Sequence, residues 1–453
     1  AMLSQVILSD VWTVIPADFF KGCSALSSVV LPSALTEIGD NAFLGCSALS
    51  SVTIDCAGLT VIGQKAFLGT ALTSVTIPKT VAKIGNGAFA ADTLKEIEIG
   101  DNTNFSVANG FLFDKKGNAI LYYGDKTDID LSNMEEIPAE FFYGSSMTSI
   151  VIPASVKTIG DGAFENSDIT TVTFAADSKL EKIGNRAFFG SKLQQITIPA
   201  TVNAIGPQAF ACCLELTTVV LNSAKATFGD EVFKDCAKLS SVTLPDELTQ
   251  INGNNTFENC SALTSIVLPT ALTSLGGYAF ANSGLTSITI PSKITAIMEG
   301  TFKNCKNLST VTFAEGSNFT LVSYYAFAGS GITAIEFPAT LATIQINAFE
   351  NCKQLQKVTF AESATTLRLY DCAFAGCTAI SEIVLPKNVD IQLTSTSGKF
   401  DGVFYGWTAN QTIKIMANSR KFLAANAFTS YSLAKAHWNG GCNAKIVYEY
   451  VAE

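Results

Sequence analysis

The chain has 453 residues, of which 48% are hydrophobic and 15% are charged, and its formal net charge at pH 7 is −10. It contains no apolar run of about 18 residues, so the sequence predicts no membrane-spanning helix. An acidic chain without a Lys/Arg cluster repels a phosphate backbone, which excludes nucleic acid as a partner class.

One phenylalanine, usually within the pair Ala-Phe, returns throughout the chain. Its spacing is mostly about 22 to 25 residues, as between Phe43 and Phe67, and this is the length of a leucine-rich repeat. A repeat of this length replaces the usual expectation of two or three globular domains. The repeat phenylalanines are Phe20, Phe43, Phe67, Phe89, Phe142, Phe164, Phe188, Phe210, Phe233, Phe257, Phe280, Phe302, Phe327, Phe349 and Phe374, with weaker copies at Phe404 and Phe428.

Each unit contains a short strand pattern, as in LTSVTIP (Leu72–Pro78) and LTSIVLP (Leu263–Pro269). Apolar residues alternate with Ser, Thr or Val, which is typical of a half-buried strand. Proline ends the pattern because it has no N–H to donate to a sheet. A stretch of the form Leu/Val-x-x-Ile-Gly follows and predicts a short extended return.

The segment around the repeat phenylalanine predicts one or two helical turns. Asp40, Asn86, Asp161 and Asn185 follow the repeat glycine, where an N-cap oxygen would accept from free backbone N–H groups. Two residues after the phenylalanine stands a residue that tolerates the left-handed conformation closing a helix. These residues are Gly22, Gly45, Gly69, Gly144, Asn166, Gly190, Asn259, Asn282, Asn304, Gly329, Asn351 and Gly376.

A single unit is too small to bury its own Leu, Ile and Phe, so stacked units must share a core. The prediction is one leucine-rich-repeat solenoid over residues 1–453, a right-handed superhelix with a long parallel β-sheet on one face and short helical turns on the other. Residues 1–100 and 137–386 form regular coils, and residues 101–136 form an irregular variant coil. Residues 387–453 are expected to form degenerate last coils and a C-terminal cap.

The twelve cysteines follow the repeat. Eight of them stand three residues after the repeat phenylalanine: Cys23, Cys46, Cys213, Cys236, Cys260, Cys305, Cys352 and Cys377. Units with a shorter link to the next strand carry Thr70, Asp92, Ser145, Ser167, Ser191, Ser283 or Ser330 there instead. We interpret the cysteines as small apolar filler turned inward by the longer link. Disulfides between stacked coils are the alternative, and a zinc site is disfavoured because His437 is the chain's single histidine.

The repeat text resembles a known family. IGDNAFLGCSALSSVTI (Ile38–Ile54) and IPASVKTIGDGAF (Ile152–Phe164) are similar to the BspA-type leucine-rich repeats of bacterial surface proteins. The resemblance covers roughly residues 5 to 430. Even the interruption at Asn102–Lys126 is similar to a variant unit of that family, which implies a hairpin-like coil within the stack. This coil would be formed by Gly110, Phe111, Leu112, Phe113, Leu121 and Tyr122.

The family implies a location outside the cell or on its surface, and an adhesive function without shared catalytic residues. The first residues, AMLSQVILSD, lack the features of a signal peptide, so we expect the chain to be a trimmed form of a longer protein. Signal peptide and anchor would then lie outside this sequence.

Motifs of enzymes and cofactor sites are missing from the sequence. It has no G-x-S-x-G, P-loop or H-E-x-x-H pattern, and a triad would have to use His437. The carboxylate pairs Glu135–Glu136 and Asp230–Glu231 are better interpreted as solvated or capping residues than as a hydrolase pair. The prediction is therefore a chain without catalytic activity, metal or cofactor.

Binding is left as the predicted activity, and solenoids bind along their sheet face. The outward strand positions are mainly Thr and Val, which stabilise a sheet by themselves. Charged exceptions, and the aromatic pair Tyr324–Tyr325 that replaces the usual residues before Ala-Phe, are the candidate ligand contacts. The charged candidates are Glu336, Lys357 and Glu382, with Glu96 and Glu98 apart from them near the interruption. Core filling is the alternative for the tyrosines.

The predicted function is thus a cell-surface or secreted binding or adhesion protein whose partner is a protein or glycan of a host or neighbouring cell. The alternative is a structural spacer of the cell envelope without a soluble ligand.

Overall fold

The structure, a computed structural model, describes residues 3–91, 93–124, 129–363, 365–392, 402–416 and 442–450. The chain divides into two compact units, Ala1–Glu215 and Leu216–Glu453. Within the described residues, no helix is long and apolar enough to span a membrane. The predicted single solenoid over the whole chain, its right-handedness and its subdivision at 100, 136 and 386 stay predictions.

Each coil contributes two strands, which we call the front strand and the return strand. A front strand of mostly three or four residues is followed by a return strand of mostly two, and a turn segment around the repeat phenylalanine leads to the next coil. Strands of successive coils pair in parallel, as in Val30↔Thr53 on the front and Ile38↔Ile62 on the return. Parallel pairing is thus confirmed within each unit, but the parallel strands form several sheets of two to five strands and not the predicted long sheet.

The first unit contains two ladders and one antiparallel insertion. Its front strands are Gln5–Ile7, Ser28–Val30, Ser51–Thr53, Ser74–Thr76, Glu96–Glu98, Ser149–Ile152, Thr171–Phe174 and Gln195–Ile198. Its return strands are Val14–Ile15, Glu37–Ile38, Val61–Ile62, Lys83–Ile84, Glu136–Ile137, Thr158–Ile159, Lys182–Ile183 and Ala204–Ile205.

The second unit repeats the same plan. Its front strands are Thr218–Leu221, Ser241–Thr243, Ser287–Ile290, Thr310–Phe313, Ala334–Phe337, Lys357–Phe360, Glu382–Leu385, Thr412–Met416 and Lys445–Tyr450. Its return strands are Thr227–Phe228, Gln250–Ile251, Ser274–Leu275, Ala296–Ile297, Leu321–Val322, Thr343–Ile344, Leu367–Tyr370 and Val389–Gln392.

The predicted helical turns are wrong, because the described residues contain no helix and the turn segments are runs of tight turns. The left-handed residue after the phenylalanine is confirmed, for example at Gly45 with a φ of 71°. A second left-handed residue precedes the phenylalanine by two positions, such as Asn41 with a φ of 57°. Two reversals of φ within five residues prevent helical propagation, since a helix needs consecutive right-handed residues.

Backbone donors in the turn segments alternate between two kinds of partner. The N–H of Phe43 donates to the carbonyl oxygen of Ala66 in the next coil at 2.7 Å, and that of Leu44 donates back within its own turn to Asn41 at 3.0 Å. The turn segments are thus joined from coil to coil by main-chain hydrogen bonds, as the strands are.

The predicted N-cap role of Asp40 and Asp161 is also wrong. Asp40 Oδ1 accepts from the N–H of Gln64 at 2.7 Å, one coil later, and Asp161 Oδ1 accepts from the N–H of Asn185 at 2.8 Å. These side chains therefore link neighbouring coils instead of capping a helix.

The glycine of the Ile-Gly pair is required by close stacking. A Cβ built on Gly39 would lie 2.6 Å from the backbone nitrogen of Ala17, and one on Gly85 would lie 2.4 Å from that of Gln64. Such distances are too short for a carbon atom, so only glycine allows the coils to approach this closely.

The repeat phenylalanines form the centre of each core. They stack face to face, with ring centroids 5.0 Å apart for Phe43 and Phe67 and 5.4 Å apart for Phe257 and Phe280. All three of Phe43, Phe67 and Phe257 are fully buried. Each coil thus completes the core of the next, as the repeat predicts.

The variant coil forms a three-stranded antiparallel sheet inside the first unit. Its strands are Phe105–Ala108, Phe111–Asp114 and Ala119–Tyr122. Phe111 stacks on Phe141 at 5.7 Å, and Leu112 and Leu121 belong to the hydrophobic core of the first coils. The predicted hairpin within the stack is confirmed for the described residues, among which Lys126 does not fall.

The cysteine prediction is right about burial and wrong about its cause. Cys46, Cys213, Cys236, Cys260, Cys305, Cys352 and Cys377 are buried free thiols, and Cys23 is half-buried. The small polar residues of the shorter links are buried as well, and Asp92 lies outside the described residues. Link length therefore does not decide burial. Ser167 Oγ donates to the carbonyl oxygen of Phe164 in its own coil at 2.7 Å, whereas Cys305 Sγ donates to that of Phe280 in the preceding coil at 3.0 Å.

Candidate interaction surface

Alternate residues of the front strands point to solvent and form the sheet face. In Thr171–Phe174, for example, Val172 is buried beneath exposed Thr171 and Thr173. The predicted outward column is exposed or half-buried at every position: Val30, Thr53, Thr76, Glu98, Val151, Thr173 and Thr197 in the first unit, and Val220, Thr243, Val267, Thr289, Thr312, Glu336, Thr359 and Val384 in the second. Val267 is the extreme case, with 86% of its surface exposed. The strand predicted at Leu263–Pro269 is not formed, so Val267 keeps the outward position of the column on irregular backbone.

Hydroxyl groups beside the front strands serve the stack itself. Thr286 Oγ1 donates to the carbonyl oxygen of Thr264 at 3.2 Å, and Ser309 Oγ donates to that of Thr286 at 3.1 Å. On the outward column, Thr289 Oγ1 lies 2.9 Å from Thr312 Oγ1. These hydroxyl ladders therefore have a structural role.

The charged candidates lie on exposed positions of three front strands that follow one another along the chain. Glu336 is in register with Thr359, and Lys357 is in register with Ala334 on the same pair of strands. Glu382 belongs to the following front strand, which begins a separate three-stranded sheet. The structure thus brings Glu336 and Lys357 onto neighbouring strands of one sheet.

Sequence reasoning missed a cation on this face. Lys414 Nζ lies 2.8 Å from Glu382 Oε2, and Lys414 is in register with Val384. The alternation in Thr412–Met416 (TIKIM) was the available signal, because its lysine occupies the position of the outward valine in EIVL. Lys414 was not predicted as a candidate because its unit departs from the regular repeat spacing.

The tyrosine pair lies in a turn segment and not on the sheet face. Tyr324 is 40% exposed, whereas Tyr325 is half-buried with a φ of 54°. Lys303 Nζ lies 5.1 Å from the ring centroid of Tyr325 and 5.7 Å from that of Tyr278, within the range of a cation–π interaction. The pair therefore splits into one exposed ring and one ring used in packing.

Tyr278 completes this aromatic group. Its hydroxyl donates to Glu299 Oε1 at 2.8 Å. Burial, together with the hydrogen bond to and charge of Glu299, raises the pKa of Tyr278 to about 12. A phenol that stays protonated here holds the carboxylate in place, so this group stabilises neighbouring coils.

Glu96 and Glu98 form a separate acidic site in the first unit. Both are exposed on one front strand, and Thr76 Oγ1 donates to Glu98 Oε2 at 3.1 Å. Glu96 and Glu98 belong to the first unit, whereas the other charged candidates belong to the second. The two sets are therefore separate candidate surfaces.

In the described part of the chain, no group of three or more His, Cys, Asp or Glu side chains is suited to hold a metal ion. His437 lies outside the described residues.

Comparison with known proteins identifies the repeat. The sequence profile described as "BspA type Leucine rich repeat region (6 copies)" matches residues 2–115, 135–262, 226–328 and 320–443. A comparison with curated protein sequences gives no significant match.

Several solved structures are similar to this chain. A leucine-rich repeat protein from Eubacterium ventriosum is 24% identical, with a TM-score of 0.49, over 75% of this chain and 85% of that one. A leucine rich cell surface protein from Faecalibacterium prausnitzii is 21% identical, with a TM-score of 0.41, over 89% and 91%. The pneumococcal vaccine antigen PcpA is 18% identical, with a TM-score of 0.38, over 84% and 89%. Since the family profile matches most of its residues, this chain belongs to the BspA-type leucine-rich repeat family.

Proposed function

We propose that this chain is a non-enzymatic binding protein, secreted or held on the cell surface, that recognises a protein or glycan of a host or neighbouring cell through its sheet face. Membership of a repeat family implied to act at the bacterial surface supports the location. The sheet face supports the activity, because alternate residues of many paired strands are exposed over a fully buried core.

The observation that carries the proposal is the charged patch of the second unit, which we define as Glu336, Lys357, Glu382 and Lys414. Elsewhere the outward positions are mainly Thr, Ser and Val, whose uniform surface offers little specificity. The patch presents both signs of charge on rigid strands, and such a pattern selects partners and orients them. Its Glu382–Lys414 ion pair at 2.8 Å holds two of the four side chains in fixed positions.

A binding screen tests the proposal. The purified chain is passed over immobilised extracellular-matrix proteins and a glycan array, at low and at high ionic strength. We expect saturable binding to at least one class that weakens with added salt, because exposed charge pairs are screened by ions. Uniform absence of binding would contradict the proposal and favour the envelope spacer.

A further inference from the structure

The return ladder of the first unit is interrupted at the variant coil. A four-stranded sheet runs from Val14–Ile15 to Lys83–Ile84, and a second sheet begins at Glu136–Ile137. Among the strands described for this unit, Lys83–Ile84 and Glu136–Ile137 each pair on one side only. Two strand edges therefore face the interruption.

A proline explains why the ladder does not continue. In regular coils the N–H of the glycine after Ile donates to the Ile carbonyl of the preceding coil, as from Gly85 to Ile62 at 2.9 Å and from Gly160 to Ile137 at 2.8 Å. Pro138 stands at that position in the coil after the interruption, and it has no N–H to donate. The same substitution, Pro16, occurs in the first return strand of the unit. Within the first unit, proline at this position thus marks the start of each return sheet.

At the edge of the strand Lys83–Ile84, the backbone carbonyl oxygen of Ile84 has no hydrogen-bond donor among the described residues. The side-chain amide of Asn102 donates to the carbonyl oxygens of Pro78 and Val81 at 2.8 and 2.9 Å, and that of Asn104 donates to Val81 at 3.1 Å. Neither amide donates to the carbonyl oxygen of Ile84. The Ile84 side chain is only half-buried, whereas the equivalent Ile62 is fully buried.

A groove of about 1000 Å³ lies beside this interruption. Asn86, two residues after Ile84, forms part of its wall, whereas Lys83 and Ile84 themselves do not line it. Half-buried apolar side chains, among them Phe113, Ile120 and Met134, form part of its wall. Four carboxylates also line it, namely Asp114, Asp130, Glu135 and Glu136, and the described lining includes no lysine or arginine. Its volume matches the upper range of ligand sites, and its charged lining residues are all carboxylates, one of which is paired with Lys157 outside the lining.

We propose that this groove binds an extended, cationic peptide segment of a partner protein, which adds a strand at the open edge of Lys83–Ile84. A backbone N–H of the peptide donates to the Ile84 carbonyl oxygen, as the N–H of a repeat glycine does elsewhere in the ladder. Alternate side chains pack on the apolar wall, and the lysine or arginine residues between them face the carboxylates. Strand addition supplies affinity and the side chains supply selectivity.

The carboxylates of the groove differ in the ion pairs and hydrogen bonds that they already form. Glu135 Oε2 lies 3.0 Å from Lys157 Nζ, and Asp114 accepts from the N–H groups of Lys116 and Asn118 within its own hairpin turn. Asp130 Oδ1 accepts from the N–H of Ser132 at 2.8 Å, a bond that Asn at this position can keep. Asp130 and Glu136 are exposed at the groove, so they are the carboxylates to change. The site is separate from the sheet face and does not depend on the function proposed above.

Fluorescence anisotropy with a labelled Lys-Val-Lys-Val-Lys-Val peptide tests the proposal on the full chain. We expect saturable binding, and we expect Asp130→Asn with Glu136→Gln to weaken it about tenfold because two opposite charges are lost. The matched control, Asp177→Asn with Glu181→Gln, removes the same charge from exposed positions of the first unit outside the groove and should leave the affinity unchanged. A peptide with N-methyl groups on alternate residues keeps its charge, lacks the N–H donors and should not bind.

Each contrary result overturns the proposal. Absence of saturable binding means that the groove does not take such a peptide, and this would also be the result if a segment of the same chain filled it. Equal weakening by the two pairs of substitutions means that the peptide responds only to net charge. Retained binding of the N-methylated peptide rules out strand addition. Thermal unfolding of both variants verifies that they are folded, and none of these results bears on ligands of the sheet face.

Discussion

The Sγ of Cys352 donates a hydrogen bond of 3.0 Å to the carbonyl oxygen of Phe327, one coil earlier. The same bond joins Cys46 to Phe20 at 3.1 Å and Cys305 to Phe280 at 3.0 Å. A thiol at this position fills space in the core and also satisfies a buried carbonyl group, which would otherwise be costly. The repeated cysteine is therefore a structural element between coils.

Burial should keep two of the repeat thiols, Cys305 and Cys213, protonated at high pH. It raises the pKa of Cys305 from about 9 to about 11, and that of Cys213 to about 12. The unfolded chain releases these protons near pH 9 while the folded chain retains them, so the free energy of unfolding should fall as the pH rises above about 9 and should be unaffected by these groups below about 8. Urea unfolding under reducing conditions at several pH values measures this.

A substitution gives the control for the thiol prediction. Cys305→Ala should be less stable than the wild type at neutral pH, because the hydrogen bond and the packing are lost, but its stability should fall less steeply in alkali. Identical slopes for the two proteins would show that the thiol does not titrate as a buried group.

The glycine of the Ile-Gly pair should tolerate no side chain. Gly39→Ala places a Cβ 2.6 Å from the backbone nitrogen of Ala17, and overpacking of this kind costs about 1–3 kcal/mol in the free energy of unfolding. Gly58→Ala is the matched control, since its Cβ would have nearest neighbours at 3.6 Å. Equal stability of the two variants, measured by chemical denaturation, would disprove the close approach of the coils.

The stacked phenylalanines should dominate stability. Phe257 is fully buried between Phe233 and Phe280, at centroid distances of 5.5 and 5.4 Å, so Phe257→Ala should cost about 3–5 kcal/mol. Phe19 is 47% exposed, and Phe19→Ala should cost much less. Calorimetric unfolding of both variants compares them, and an unchanged transition for Phe257→Ala would argue against a shared core.

The two neighbouring tyrosines should differ in their effect on stability. Tyr325→Ala removes a ring that contacts Lys303 and should cost about 0.5–1 kcal/mol beyond the loss of buried area, whereas Tyr324→Ala at the exposed position should leave the free energy of unfolding nearly unchanged. Urea unfolding of the two variants measures this. A larger loss for Tyr324→Ala would reverse the assignment of the two rings.

Periodicity made most of the fold predictable. The spacing of the phenylalanines predicted the coil, and the alternation in segments such as Leu72–Pro78 predicted the front strand. The residue types two positions after the phenylalanine predicted the left-handed backbone there. Each of these signals is local in sequence and is repeated many times, so a single irregular copy did not obscure it.

Contacts between coils were not predictable, because they join residues about one repeat apart through the backbone. The sequence predicted Asp40 as a helix cap, but its side chain accepts a hydrogen bond from the N–H of Gln64 in the next coil. The helical turns failed for a similar reason: residues such as Lys65 and Tyr278 adopt a positive φ although their types do not favour it. Stacking imposes that conformation on them, and no local pattern reveals it.

The candidate surface was predictable in position but not in pairing. The outward column followed from alternation, and Glu336, Lys357 and Glu382 followed from their charge. The ion pair of Glu382 with Lys414 did not, because Lys414 lies in a unit whose spacing departs from the repeat. The groove beside Pro138 was not predictable either, because an unpaired strand edge can be recognised only from the pairing of the return strands.

A charge exchange on the sheet face locates the proposed binding surface. In the double variant Glu336→Lys with Lys357→Glu, the net charge is unchanged while the pattern of the patch is reversed. Both residues are exposed, so stability should be preserved. Lys306→Glu with Glu315→Lys is the matched control, since it exchanges two exposed charges in the same unit outside its front strands.

The dissociation constant of the charge-exchanged patch variant, for the tightest ligand found in the binding screen, is the most direct test of the proposed function. It should be at least about tenfold higher than that of the wild type, a loss of about 1.4 kcal/mol, while the control should bind as the wild type does. Equal affinity of all three proteins would contradict recognition through the charged patch.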